Sequence, residues 1–118
     1  VMRFVTHIIQ KKKVSKGSFI GYGANYEVKK DMYVGILPIG YANGVRPKKV
    51  LINGKFYPVI GEVCMNMIMI RIDENIILTD DVILLGDAIT IGMVARDKNV
   101  GIAEALVDIG NNNMRVYK

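Results

Sequence analysis

Val50-Leu51-Ile52-Asn53-Gly54-Lys55-Phe56-Tyr57-Pro58-Val59-Ile60 is the stretch on which the fold turns. Asn53-Gly54 can supply the two positive φ angles of a type I′ turn, and the runs on either side are apolar and β-prone. The stretch therefore reads as a tight antiparallel hairpin. Upstream, Met32 to Leu37 reads as an apolar strand buried on both faces, with Pro38 interrupting its ladder. Downstream, Val63 to Ile72 is the longest apolar stretch, and neither of its alternating faces is polar throughout. That pattern predicts a central strand with methionine as core filler, in which a buried Asn66 would need a hydrogen-bond partner. Shorter strands are expected at residues 3–9, at Ser18 to Tyr22, at Val82 to Leu85 and at Met114 to Tyr117. Lys11 to Gly17 and Glu27 to Asp31 read as polar turns. Two short helices are expected late in the chain. Thr90 caps the first, which ends near Asn99; the second runs from Ala103 to Ile109 and stops at Gly110. The fold class that results is all-β: a Greek-key-like small β-barrel of short antiparallel strands, with one or two short helices near the C-terminus.

Composition bounds what such a fold can do. The chain has 118 residues, which makes one domain spanning 1–118. Hydrophobic content of 51% against 23% charged residues is enough for a packed core and too much for disorder. No apolar run approaches the roughly 20 residues of a membrane helix. The first residues carry no signal-peptide pattern, and a start at Val1 suggests a piece of a longer protein. Cys64 is the sole cysteine and cannot form an internal disulfide, which suits a reducing, cytoplasmic setting; in an apolar strand it would simply pack. His7 is the sole histidine, and the carboxylates show no ligand spacing, so no metal centre is expected. The net charge of +5 comes from clusters at Lys11–Lys13 with Lys16, Lys29–Lys30 and Lys48–Lys49. No aromatic stacking platform lies between them, so a solvated or partner-facing surface is the better account than nucleic-acid binding.

One further stretch stands out. In Gly21-Tyr22-Gly23-Ala24-Asn25-Tyr26, two glycines bracket a tyrosine. Either the glycines allow a close approach that places Tyr22 for chemistry, or Tyr22 is a turn aromatic covering the edge of the core. Three segments taken in order weigh on that choice. Residues 21–26, then Leu37-Pro38-Ile39-Gly40-Tyr41-Ala42-Asn43-Gly44, then 50–54 followed by Ile60-Gly61-Glu62-Val63-Cys64-Met65-Asn66-Met67, resemble the C-terminal domain of the alanine racemase family. Arg115-Val116-Tyr117 fits the same pattern, so the resemblance covers essentially the whole chain.

The resemblance implies a pyridoxal-phosphate enzyme of fold-type III. The cofactor would sit in an N-terminal α/β barrel that this chain lacks. Subunits would pair head to tail as a homodimer, each C-terminal domain completing its partner's active site on a small amino-acid substrate. Tyr22 matches one of the two bases. The other, the lysine that carries the cofactor, has no counterpart here. A free phenol has a pKa near 10, so its use as a base would require neighbours that favour the phenolate, and these would belong to the partner's barrel. Met65 matches the residue whose backbone N–H meets the substrate carboxylate; as a side chain it reads equally as core. Tyr41 matches a tyrosine at the substrate entrance, or is a turn aromatic. Tyr26 is expected to be structural.

Three departures from the family pattern carry information. Glu62 stands where Arg is usual, and Asn66 where Asp is usual. Asn111, counted back from Arg115-Val116-Tyr117, is one of three asparagines in a row and reads equally as part of a loop after the helix; by that count it falls where many members carry a Tyr beside the substrate methyl group, and the smaller side chain would open room for a hydroxymethyl group. That resembles the alanine/serine racemase branch linked to vancomycin resistance, whose racemase domains follow a membrane segment. Serine and alanine both stay open as substrates. So does a non-catalytic assembly module with a decayed site, which Glu62 and Asn66 would suit.

Overall fold

The computed structural model describes residues 3–20, 26–86, 88–112 and 116–117, and only the backbone of 106, 108, 110–112 and 116–117. The hairpin forms as the turn chemistry requires. β6 (Lys49–Ile52) and β7 (Lys55–Ile60) pair from Lys49↔Pro58 to Ile52↔Lys55, with Asn53 at φ 52° and Gly54 at φ 78°. Pro58 is tolerated because its neighbour Val59 donates to Lys48, which leaves the proline's missing N–H on the side facing away from β6.

β5 (Met32–Leu37) and β8 (Ile68–Ile72) form the centre of the sheet, paired from Tyr33↔Ile72 to Leu37↔Ile68. β5 is buried on both faces, as its unbroken apolar run predicts. Met32, Val34 and Ile36 enter one apolar cluster with Val28, Ile60 and Met69, while Leu37 joins the main core with Ile68, Ile70, Ile72, Phe4, Val50 and Ile52. With β1 (Arg3–Thr6), β2 (Gln10–Val14), β9 (Val82–Leu85) and β10 (Val116–Tyr117), the order is β10-β1-β9-β6-β7-β8-β5-β2. The result is the expected mostly β fold: an antiparallel half-barrel whose edges are β10 and β2. A separate two-stranded piece, β3 (Phe19–Ile20) with β4 (Tyr26–Glu27), lays Ile20 and Tyr26 over the smaller cluster.

Two helices follow the strands. α1 (Ile91–Lys98) begins where Thr90 Oγ1 accepts the Met93 N–H at 3.2 Å and ends at Asn99 with φ 60°, both as expected. α2 (Ile102–Asn112) buries Ala105 and Ile109, four residues apart on one face, and packs on α1.

Four segments differ from the sequence reading. Glu27 to Asp31, read as a polar turn, opens inside β4 and buries Val28 in the smaller cluster, because Glu27 pairs with Phe19. Lys11–Lys13 lie in a strand, not a turn, because all of β2 pairs with β5 from Gln10↔Ile36 to Val14↔Met32. Lys11 lies with its ammonium 5.1 Å from the centroid of the Tyr33 ring and donates to the Ile76 carbonyl at 2.9 Å and to the Glu74 carbonyl. The central strand is shorter than its apolar run: β8 starts at Ile68, and residues 63–67 form a loop. α2 passes through Gly110 to Asn112; a helical glycine costs about 1 kcal/mol, which does not end a helix whose apolar face is packed.

Candidate functional site

The loop that replaces the start of the expected strand is held by the segment after β5. Pro38 ends that strand, and the chain turns through a single 3-10 turn at Tyr41–Asn43, closed by Gly44 at φ 83°. Asn43 fixes the turn from both ends: its Oδ1 accepts the Gly40 N–H at 3.0 Å, and its own N–H donates to the Gly40 carbonyl at 2.9 Å. The first two N–H groups of the turn have no partner inside it. They donate across the fold, Tyr41 to the Cys64 carbonyl and Ala42 to the Met65 carbonyl, each at 3.0 Å. The second loop closes on itself through the Cys64 N–H and the Met67 carbonyl at 3.0 Å. Residue 40 has to be glycine for this contact, since a Cβ there would stand 2.0 Å from the Cys64 oxygen.

Between these segments lies an open depression of about 590 Å³, lined by Tyr41, Arg46, Glu62, Val63, Cys64, Met65 and Asn66. Tyr41 and Met65 stand at its surface, 44% and 52% exposed. The Arg46 guanidinium carbon lies 4.8 Å from the centre of the Tyr41 ring, within cation–π range. Among the described residues no hydrogen bond is found for the Met65 N–H. Cys64 is half-buried and directs its thiol at the Glu62 carbonyl, 3.8 Å away; it is a wall of the depression, where a residue packed in an apolar strand was expected. Asn66 is exposed, so the demand for a buried partner does not arise.

Tyr22 and its two glycines lie outside the described residues. Their anchors are described. Ile20 pairs with Tyr26, so the five residues between them carry Tyr22. Tyr26 is structural, as expected: it packs on the smaller core cluster, as does Met67, and a Cβ on Gly61 would meet it at 3.7 Å. Gly61 and Met67 flank the loop that forms the depression. The backbone of Asn111 belongs to the last turn of α2, a helix that packs against the Tyr41–Asn43 turn; its side chain lies outside the described residues. Arg46 was missed by the sequence reading. Its signal is weak, an arginine two residues past the Asn43-Gly44 turn, since charge beside a turn is the default.

A tyrosine, an arginine and a glutamate around an open depression, set between two clasped segments of an antiparallel half-barrel, describe a β-domain that presents a small open site. Its first 117 residues match the family model described as alanine racemase, C-terminal domain, and the chain belongs to that family. It is 37% identical over 122 residues to the alanine racemase of Lactococcus lactis subsp. lactis (strain IL1403), covering 97% of this chain and 32% of that protein. Among solved structures it is similar to alanine racemase from Clostridium difficile 630 in complex with cycloserine. There the TM-score is 0.81 at 36% identity, over 91% of this chain and 30% of that one. Alanine racemase from E. faecalis superposes with a TM-score of 0.84 at 32% identity, over 91% and 31%. The chain thus spans about a third of the length of the relatives it matches. Among the described residues no helix is long and apolar enough to cross a membrane, and no cluster of side chains could hold a metal.

Proposed function

We propose that this chain is the C-terminal domain of a pyridoxal-phosphate-dependent racemase of small amino acids, alanine and serine, working in the cytoplasm. In that reading it supplies Tyr22 as a proton carrier to the active site of a homodimer partner and is inactive alone. The observation that carries the reading is the backbone clasp between Tyr41-Ala42 and Cys64-Met65. It brings Met65 and Tyr41 to one depression, and Gly61, next to the loop that lines it, lies against Tyr26, one of the two anchors of the Tyr22 segment.

The cofactor itself does not fit the residues that line the depression. Pyridoxal phosphate is held through a lysine, and no lysine lines the depression. Its binding is assigned to the barrel domain that the longer relatives' length leaves room for. The tasks left to this chain are those of its own groups. Tyr22 takes and returns a proton at the substrate's α-carbon from one face. The Met65 N–H orients the carboxylate. Tyr41 and Asn111 shape the space around the side chain.

The test is Tyr22→Phe in the full-length protein, assayed in both directions of racemisation. Loss of proton exchange from one face, with activity down by about 10²-fold or more, is the expected result. Wild-type rates in both directions would refute the assignment. A second reading, a non-catalytic assembly module, is favoured by Glu62 and Asn66 at the depression. Any racemase activity of the full-length protein rules it out.

A further inference from the structure

β2 is paired on one side only. From Gln10 to Val14 every residue faces β5, and no strand lies beyond it among the described residues. Alternate backbone N–H and C=O groups of such an edge strand point away from its partner.

The register fixes where its lysines stand. Lys12 lies opposite Val34, which belongs to the smaller cluster, and Lys13 opposite Tyr33, which packs on the main core. Residues opposite one another share a face of the sheet, so Lys12 and Lys13 project from opposite faces. Lys11 is committed: its ammonium is held by the Ile76 and Glu74 carbonyls. Lys12 and Lys13 are exposed, and among the described residues neither side chain takes part in an ion pair or a hydrogen bond. Past the end of the strand the fold adds a second basic group. The Lys16 N–H donates to Asp31 Oδ1 at 2.8 Å, which draws residues 29–31 to the same edge. Residues 10–16 and 27–31 hold six lysines against two carboxylates, so most of the chain's net charge of +5 gathers here. Of those carboxylates, Glu27 is taken by Lys29.

We propose that the β2 edge binds an acidic, extended segment of another protein as an added strand. The guest's main chain pairs with the outward N–H and C=O groups, which gives affinity, and the lysines select its side chains. Successive residues of a strand alternate faces, so Lys12 and Lys13 call for carboxylates on two consecutive guest residues; Lys16 and Lys30 favour further acidic residues beyond them. An oligonucleotide or an anionic lipid surface meets the lysines and leaves the backbone row unanswered, so the open edge selects a polypeptide.

The test uses the full-length protein and a labelled, end-capped peptide, Thr-Val-Thr-Glu-Glu-Thr-Val-Thr, read by fluorescence anisotropy and by amide hydrogen exchange of β2. Saturable binding that slows exchange of the outward amides is expected. Lys12→Gln and Lys13→Gln should each weaken it about threefold and the pair together about tenfold, as for exposed charge contacts, and the losses should shrink in high salt. The same peptide with proline in place of the two threonines that flank the glutamates keeps its charge and cannot pair, and should lose binding. No binding, equal binding of the proline peptide, or equal competition by a single-stranded oligonucleotide with the β2 amides unprotected overturns the proposal; the last would mark the edge as a general polyanion surface. Unchanged urea midpoints establish that the lysine variants are folded, and the peptide controls stand without them.

Discussion

Gly40 and Cys64 are in backbone contact: a methyl group on Gly40 would lie 2.0 Å from the Cys64 carbonyl oxygen and 2.5 Å from that of Met65. Neither atom is the end of a flexible side chain, so relief requires the two segments to part. Gly40→Ala is expected to cost about 3 kcal/mol or more and to open the depression. Gly92→Ala is the control. There the added carbon would meet Thr90 Oγ1 at 3.7 Å, an ordinary contact, and stability should change by less than about 1 kcal/mol. Urea midpoints of the two variants decide the matter.

The second prediction concerns alkaline pH. Tyr57 is buried in the main core, and its hydroxyl donates to Asp73 Oδ2 at 2.8 Å; Lys55 Nζ donates to the same oxygen at 3.0 Å. Burial, and then the Asp73 carboxylate, push the phenol from 10.0 up to about 12. The folded state thus holds a proton that the unfolded state releases earlier. Its contribution is complete below pH 10 and is lost as pH rises from there to about 12. Asp73 runs the other way. Hydrogen bonds from Lys55 and then Tyr57 lower its pKa below 3.8, so its share is present above that value and lost as the pH falls beneath it. Denaturation midpoints across alkaline pH should fall less steeply in Tyr57→Phe than in wild type.

Helix α1 offers a third test. Thr90 Oγ1 accepts one of the N–H groups that open the helix. Thr90→Ala should cost about 1 kcal/mol and Thr90→Ser much less, read from thermal or urea unfolding.

Asn111 gives a fourth. Under the racemase reading, Asn111→Tyr in the full-length protein fills space beside the substrate side chain. The ratio of kcat/KM for serine over alanine should drop about tenfold, the order expected for one small group in a pocket. An unchanged ratio would remove Asn111 from the specificity argument.

What could be read in the sequence follows from which interactions were local. Asn53-Gly54, the Thr90 cap and the Asn99 terminus are decided within a few residues, and each was legible. Lys11–Lys13 were not, because a strand of lysines is stabilised by its partner β5 and by carbonyls more than sixty residues away. Nor was the loop at 63–67. An apolar run does not reveal that two of its carbonyls must turn toward Tyr41 and Ala42. At the site, Tyr41 and Met65 were marked by family resemblance, and their adjacency came only with the fold. Arg46 escaped notice because its partner is the face of a ring, which no spacing rule encodes.

β2 closes one side of the half-barrel and has no neighbour beyond it among the described residues. Open backbone of that kind is a template on which another chain can stack, copy upon copy, into fibres. Lys11, Lys12 and Lys13 lie along it, and a second molecule laid there in register would bring lysine against lysine. The same residues that obscured the strand in the sequence would then keep a concentrated solution of this domain from polymerising through its own sheet.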